Sequence, residues 1–240
     1  MSSSASASEP AGVTHPPRTL VVGAGAIGGY VAARLVEEGW PVQLVARGAT
    51  LTALREGPMH VEDGDRTFTA AIPVVAGPAG ADPPELVLVA VKSFDTAGVG
   101  RALAPVLPDG ATVLSLQNGV DNHVTLQREC PGASVGGVAV YLGCQRTAPD
   151  HVVRRPGRDA ATGAPRDRLA GGGPGAAGMH LRALGAALGL PADVRDDPLP
   201  ALWTKLVANA SLNTVTALGR ARVGTVFAHP RAVELMLAIG

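Results

Sequence analysis

Three polar side chains, Lys205, Asn209 and Asn213, recur at every fourth position of an otherwise apolar stretch. In an α-helix this spacing places all three on one side, turning by about 40° at each step. A desolvated lysine ammonium can donate a proton to a carbonyl oxygen that is being reduced, and amide side chains can hold a hydroxyl or a carboxylate nearby. The row therefore predicts a substrate-binding helix face with Lys205 as the acid. The alternative is structural, with Lys205 extending to water and the asparagines binding backbone groups.

A second candidate site is a glycine-rich segment near the start of the chain, which contains Gly23, Ala24, Gly25, Ala26, Ile27 and Gly28. An apolar run precedes it and an alanine-rich stretch, Tyr30–Glu38, follows, which predicts strand, turn and helix in succession. In such a unit Gly23 makes the tight turn, Gly25 lets a pyrophosphate approach, and Gly28 lets the helix pack closely on the strand. The free N–H groups at the helix start favour an anion. We predict a dinucleotide site, with a purely structural turn as the alternative.

The residue after the next predicted strand, Val42–Ala46, indicates which dinucleotide binds. Sites for NAD usually carry Asp or Glu about 20 residues after the glycines, where the carboxylate accepts hydrogen bonds from the ribose 2′-hydroxyl. Here Arg47 takes that place. A guanidinium offers a 2′-phosphate a planar fork of donors. The sequence therefore favours NADP(H) over NAD, unless Arg47 is an ordinary exposed loop residue.

Strands and helices alternate through the first half of the chain. Further strands are predicted at Glu85–Val91, Ala111–Leu116 and Ala133–Leu142, helices at Leu51–Glu56, Thr96–Leu107 and Asn122–Glu129, and a β-hairpin at Met59–Ala76. This alternation predicts an α/β fold with a doubly wound sheet of Rossmann type. Ligands bind beyond the carboxyl ends of the strands in such sheets, and Arg47, Lys92 and Asn118 all follow strands. We expect the three to lie along one edge, although each alone would be an ordinary loop residue.

The second half of the chain is less regular. Between Arg146 and Gly178 the run Gly171–Gly175 argues against regular structure. We expect a mobile connection that could retain two strands, and solvated arginines rather than an anion site; these are Arg154, Arg155, Arg158, Arg166 and Arg168. A helix is predicted at Met179–Leu188, a linker at Asp193–Asp197, and a long helix beginning at Pro198.

Composition limits the classes of function. The 240 residues carry 20 basic and 20 acidic side chains, so no net charge attracts nucleic acid or a membrane surface. The two cysteines, Cys130 and Cys144, form no CxxC; we predict no disulfide framework and no metal site, as suits a cytoplasmic protein. Residues 1–17 lack the regions of a signal peptide and are expected to be a disordered tail. No apolar run is long enough for a bilayer, so a soluble protein is expected.

Four motifs resemble those of the ketopantoate reductase family (2-dehydropantoate 2-reductases), which reduce 2-dehydropantoate to pantoate with NADPH in pantothenate synthesis. They are the glycine loop Gly23–Gly29, VKSFDT at Val91–Thr96, QNGV at Gln117–Val120 and WTKLVANASLNTVTAL at Trp203–Leu218. The resemblance covers the chain from Thr19 to about Gly240. Its last motif is the most specific, since a glycine loop alone fits many families.

The resemblance implies a role for each candidate residue. Arg47 matches the arginine that binds the 2′-phosphate, and Lys92 is similar to a lysine on the cofactor side. Asn118 is similar to an asparagine near the nicotinamide and the substrate. Lys205 is the counterpart of the proton donor, and the two asparagines that follow it at every fourth position are the counterparts of substrate-binding residues.

The chain departs from this family in two ways. It ends at Gly240, before the part of the family that holds a substrate-binding serine and an active-site glutamate, and Arg155–Gly175 stands where the family has tidy strands. We therefore expect a dinucleotide-binding domain over residues 18–196 and an incomplete helical substrate domain over residues 197–240. Apolar residues near the end then lack an internal partner, so either a homodimer covers them or the fold is marginal; they are Leu235, Met236, Leu237 and Ile239.

Two classes of function are compatible with these patterns. One is NADPH-dependent reduction of 2-dehydropantoate or of another 2-oxo acid. The other is a catalytically inactive NADP-binding relic or sensor, which would bind the cofactor without turnover. Lys205 favours the enzyme, and the two departures favour the inactive protein.

Overall fold

The computed structural model describes residues 15–157 and 164–239. In chain order the strands within these ranges are β1 (Thr19–Val22), β2 (Val42–Val45), β3 (Met59–Asp63), β4 (Arg66–Ala70), β5 (Val74–Val75), β6 (Leu86–Val89), β7 (Thr112–Ser115), β8 (Ser134–Tyr141), β9 (Cys144–Ala148), β10 (His151–Arg154), β11 (Arg168–Gly172) and β12 (Ala192–Arg195). The α-helices are α1 (Ala26–Glu37), α2 (Gly48–Glu56), α3 (Thr96–Leu103), α4 (Asn122–Glu129), α5 (Ala176–Leu188), α6 (Leu199–Gly219), α7 (Val223–Phe227) and α8 (Pro230–Ile239). Residues 1–14 of the expected tail, and Arg158, lie outside the described residues.

A large mixed sheet forms the centre of the fold, in the strand order β12-β11-β8-β7-β6-β1-β2-β5. The six neighbouring strands β8, β7, β6, β1, β2 and β5 run parallel. Strand β11 pairs antiparallel with β8, and β12 pairs parallel with β11. Val21 and Leu88 pack against α1 and α5 on one face, and Val22 and Val89 pack against α3 and α4 on the other. Because both faces are covered, these strands are continuous apolar runs. The predicted Rossmann-type sheet is confirmed.

A smaller sheet, in the order β4-β3-β10-β9, packs against α1. Met59, Val61 and Val152 bring this sheet into the same core as α1. The predicted hairpin is confirmed for β3 and β4, which pair antiparallel around the turn after Asp63. Its last predicted residues instead form β5, which leaves the hairpin and joins the edge of the large sheet.

The connection between Arg146 and Gly178 is more regular in its described part than predicted: it contains β10, β11 and most of β9, where the prediction left room for two strands. Glycine is what allows β11 to pair with β8. A Cβ on Gly136 of β8 would lie only 2.0 Å from the carbonyl oxygen of Gly172 in β11, so a larger residue would not fit there. The linker predicted at Asp193–Asp197 is wrong, since its first residues belong to β12. Polar residues are tolerated there because β12 is an edge strand.

Arg154 contradicts the expectation that the arginines of this region are solvated. Its guanidinium donates at 2.6 Å both to Oδ1 of Asp63 and to Oδ2 of Asp167. The three side chains are 15%, 7% and 6% exposed. Tyr30 of α1 also donates to Asp63, at 3.1 Å. The network therefore ties α1, the small sheet and the segment before β11 together.

Replacing Arg154 with Met should lower the free energy of unfolding by about 3–5 kcal/mol. Buried Asp167 then loses its cation, and Asp63 keeps only the half-exposed Arg66, 3.5 Å away. Chemical denaturation followed by circular dichroism measures the loss. The matched control is Arg195→Met, because Arg195 pairs with Asp193 outside this network while 51% exposed and should contribute less than about 1 kcal/mol. Equal losses in the two variants would contradict the role assigned to Arg154.

The last three helices form a layer beside β8 and β11. Leu202 buries the start of α6 against these strands, and α7 and α8 fold back on α6. Leu235, Leu237 and Ile239 of α8 are 49%, 71% and 45% exposed, as expected. Met236, the fourth residue predicted to lack a partner, is instead half-buried. Across residues 15–157 and 164–239, every helix is too short or too polar to cross a membrane.

Candidate active site

The glycine loop connects β1 to α1, which begins at Ala26, one turn earlier than predicted. A Cβ on Gly28 would lie 1.9 Å from the carbonyl oxygen of Gly23, so only glycine fits where the helix meets the loop. A Cβ on Gly25 would meet no heavy atom within 4 Å. The loop therefore combines close helix packing with an open approach to the N–H groups at the start of α1, as a pyrophosphate requires.

One cleft extends from the glycine loop across the ends of β1 and β2. It has a volume of about 640 Å³ and reaches Arg47, the residue before α2. Lys92 and Arg146 line the same cleft. In the described part of the chain, none of these three cations is paired with a carboxylate. The positive charge and the open loop fit the phosphates of a dinucleotide.

A second cleft, of about 730 Å³, extends from the other side of the glycine loop to α6. Lys92 and Asn118 line it from the ends of β6 and β7, and Lys205, Asn209 and Asn213 line it from α6. The two clefts share Lys92 and part of the glycine loop, so they adjoin each other. Of the predicted site residues only Gly28 lines neither cleft, because it packs inside the loop.

A buried hydrogen-bond network holds the ends of β6 and β7 together. Gln117 Nε2 donates to the Val91 carbonyl oxygen at 3.1 Å and to Thr96 Oγ1 at 2.8 Å. Thr96 Oγ1 donates to Asn122 Oδ1 at 2.9 Å, and Asn122 Nδ2 donates to the Asn118 carbonyl oxygen at 2.8 Å. The network keeps the polar residues that follow these two strands at the same cleft.

Lys205 is partly buried between α6 and the end of β8. Its Nζ donates to the carbonyl oxygen of Val140 and lies 5.6 Å from the centre of the Tyr141 ring. Burial lowers the pKa of Lys205 to about 8, because desolvation disfavours the charged ammonium. The side chain therefore does not simply extend to water, as in the structural alternative. At neutral pH it keeps its proton but releases it more readily than an exposed lysine.

Asn209 and Asn213 follow Lys205 by one and two turns on the same side of α6. Asn209 is half-buried and Asn213 is exposed. Among the residues that the structure describes, neither amide side chain has a hydrogen-bond partner. The backbone contacts of the structural alternative are therefore not observed, and both amides are available to a molecule in the cleft.

Among the residues lining the clefts that the sequence did not assign to a site are Asp95, Tyr141, Cys144 and Arg146. Burial raises the pKa of Cys144 to about 12, so its thiol is unreactive at neutral pH. Tyr141 contacts Lys205 through its ring face. The positions of Tyr141 and Arg146 depend on contacts between β8, β9 and distant elements, for which the local sequence carries no signal.

Comparison with known proteins agrees with this geometry. The family model described as "Ketopantoate reductase PanE/ApbA" matches residues 19–165, and "Ketopantoate reductase PanE/ApbA C terminal" matches residues 197–240. A 2-dehydropantoate 2-reductase of Archaeoglobus fulgidus is 34% identical over 222 residues, covering 92% of this chain and 71% of the relative. One of Halobacterium salinarum is 32% identical over 218 residues, covering 89% and 69%.

A solved structure leads to the same family. The PanE/ApbA family ketopantoate reductase from Ralstonia eutropha JMP134 superimposes with a TM-score of 0.76 at 30% identity, covering 91% of this chain and 70% of that one. Fold, glycine loop and helix α6 thus match one family together. The chain belongs to the ketopantoate reductase PanE/ApbA family.

Proposed function

We propose that this chain reduces 2-dehydropantoate to pantoate with NADPH. The observation that carries the proposal is the pair of adjoining clefts, with Arg47 lining one, the polar residues of α6 lining the other, and the glycine loop lining both. Relatives at 34% and 32% identity that bear the name 2-dehydropantoate 2-reductase support it. In this proposal residues 18–196 bind the cofactor, and residues 197–240 contribute the substrate helix.

The cofactor would lie along the ends of the parallel strands. The glycine loop and the start of α1 would hold the pyrophosphate, and Arg47 the 2′-phosphate. Lys92 lines both clefts and would hold the cofactor between them, and Asn118 would orient the nicotinamide or the substrate. When bound, NADPH supplies the hydride to the carbonyl carbon of the substrate.

Lys205 would complete the reduction by donating a proton to the carbonyl oxygen, which becomes the hydroxyl of the product. The neutral amine left behind takes a new proton from water at neutral pH, since its pKa is about 8. Asn209 and Asn213 would hold the hydroxyl and carboxylate groups of the substrate through their free amides. An amide can donate and accept, so it binds both groups without adding charge.

The pH dependence of the reaction follows from Lys205. Only the protonated ammonium donates, so kcat/KM for reduction should be level near neutral pH and fall about tenfold per pH unit above pH 8. The reverse oxidation of pantoate needs the neutral amine and should rise over the same range. Initial rates from about pH 6 to pH 10 measure both limbs. A level profile for reduction across this range would argue against Lys205 as the acid.

Comparison of alternative substrates tests the proposed function. Oxidation of NADPH is followed with 2-dehydropantoate and with 2-oxo acids that lack its hydroxymethyl group, and we expect 2-dehydropantoate to have the highest kcat/KM. A higher value for another 2-oxo acid would favour a reductase of that substrate. NADPH binding without turnover of any of them would favour the inactive NADP-binding protein.

A further inference from the structure

The small sheet brings a second arginine to the Arg47 end of the cleft. Arg146 lies in β9, and its Nη1 donates to Thr50 Oγ1 at 2.8 Å and to the carbonyl oxygen of Ala24 at 3.4 Å. Thr50 lies in the first turn of α2 and Ala24 in the glycine loop. A single guanidinium therefore bridges three elements around the strand ends.

Arg47, Thr50 and Arg146 also line a smaller cavity of about 370 Å³ beside the larger cleft. No carboxylate neutralises Arg47 or Arg146 in the ranges that the structure describes. The first N–H groups of α2 have no side-chain cap. Two guanidinium groups that no described carboxylate neutralises, a hydroxyl and free N–H groups lie around one cavity, and this combination suits a phosphate.

We propose that Arg146 binds the 2′-phosphate of NADP(H) together with Arg47. This inference rests on the proposed function and adds a residue from the small sheet to its cofactor site. Of the five N–H donors of a guanidinium, Nη1 serves Thr50 and Ala24, which leaves donors for a phosphate. These contacts hold the side chain in place before the cofactor binds, so little rotational freedom is lost on binding.

Calorimetric titration with two matched pairs of probes tests this assignment. The pairs are NADPH with NADH, and adenosine 2′,5′-bisphosphate with 5′-AMP; the members of each pair differ by a 2′-phosphate. Arg146→Gln should weaken binding of NADPH and of the bisphosphate by about 10- to 100-fold, the loss expected for one charged hydrogen-bonding group. Binding of NADH and 5′-AMP should change by less than about twofold.

Two further variants complete the design. Arg146→Lys keeps a point charge but not the fork of donors, so its loss of NADPH affinity should be intermediate. It also tests the assignment if the Gln variant does not fold. Arg155→Gln is the matched control, because Arg155 is an exposed arginine of the same sheet region that lines neither cleft. It should leave all four affinities unchanged.

The outcomes separate this inference from the proposed function. Equal losses for NADPH and NADH would show that Arg146 only anchors the glycine loop, and would overturn the inference. An unchanged NADPH preference in both Arg146 variants would also overturn it, while leaving NADPH-dependent reduction intact. An unaltered chain that binds NADPH no better than NADH would refute both. The unaltered chain could also prefer NADPH without turnover, and Arg146→Gln could abolish that preference. This result would support the role of Arg146 in binding the 2′-phosphate and refute the proposed reductase activity.

Discussion

Replacing Lys205 with Ala should lower kcat for the reduction of 2-dehydropantoate by on the order of 10²-fold or more, while the Kd for NADPH changes little. The Kd should change little because Lys205 lines the second cleft, beside α6, whereas Arg47 lines the first. In its absence a water molecule must protonate the developing alkoxide. Steady-state rates and fluorescence titration of NADPH measure the two quantities separately.

Two other variants show whether the loss reflects proton donation. Lys205→Arg keeps the positive charge but holds its proton too tightly to donate, so it should not restore the rate. Thr214→Ala alters an exposed residue of α6 that does not line the second cleft, and should leave kcat unchanged. Full activity in Lys205→Ala would remove this residue from the mechanism.

Replacing Arg47 with Asp should raise the Kd for NADPH by on the order of 100-fold or more. The change removes a charged hydrogen bond to the 2′-phosphate and places a like charge beside it. The Kd for NADH should change little or fall, because a carboxylate at this position can accept a hydrogen bond from the ribose 2′-hydroxyl. Titration of each variant with both dinucleotides measures the shift in preference.

Arg55→Asp is the control for this substitution. Arg55 lies in the last turn of α2, the helix that Arg47 precedes, and it is exposed and lines neither cleft. The same change of charge there should alter both affinities only slightly. If Arg47→Asp weakened NADPH and NADH equally, the arginine would not be reading the 2′-phosphate.

Features that depend on local pattern were predictable from the sequence. The strand, glycine loop and α1 follow one another without interruption, and buried parallel strands appear as continuous apolar runs. The position of Lys92 and Asn118 at one edge follows from the rule that the parallel strands of a doubly wound sheet end on the same side. The four-residue spacing of Lys205, Asn209 and Asn213 likewise predicts their common side of α6.

Features that depend on distant partners were not predictable. Arg154 is buried because Asp63, 91 positions away in sequence, supplies a carboxylate beside Asp167. Arg146 reaches a carbonyl oxygen 122 positions away. Strands β9 to β12 are short and rich in polar residues or glycine, so their sequences lack the apolar alternation of a half-buried strand. Pairing makes them regular: β10 pairs with β3 and β11 with β8, and β9 and β12 then pair with β10 and β11.

The acidity of Lys205 depends on a distant partner in the same way. The spacing along α6 places this lysine on a face with two asparagines but carries no information on its burial. The pKa falls to about 8 because the side chain lies against Val140 and Tyr141 of β8, a strand 65 positions earlier. The type and position of the candidate acid were therefore predictable from the sequence, whereas its lowered pKa was not.

The most direct test of the central claim is a single-turnover, stopped-flow experiment with the 240-residue chain. NADPH fluorescence reports binding, and NADPH absorbance reports hydride transfer after 2-dehydropantoate is added. We predict that NADPH binds, and that its absorbance then falls by one equivalent per site in the unaltered chain but far more slowly in Lys205→Ala. Binding of NADPH with no loss of absorbance in the unaltered chain would contradict the claim that this cleft reduces 2-dehydropantoate.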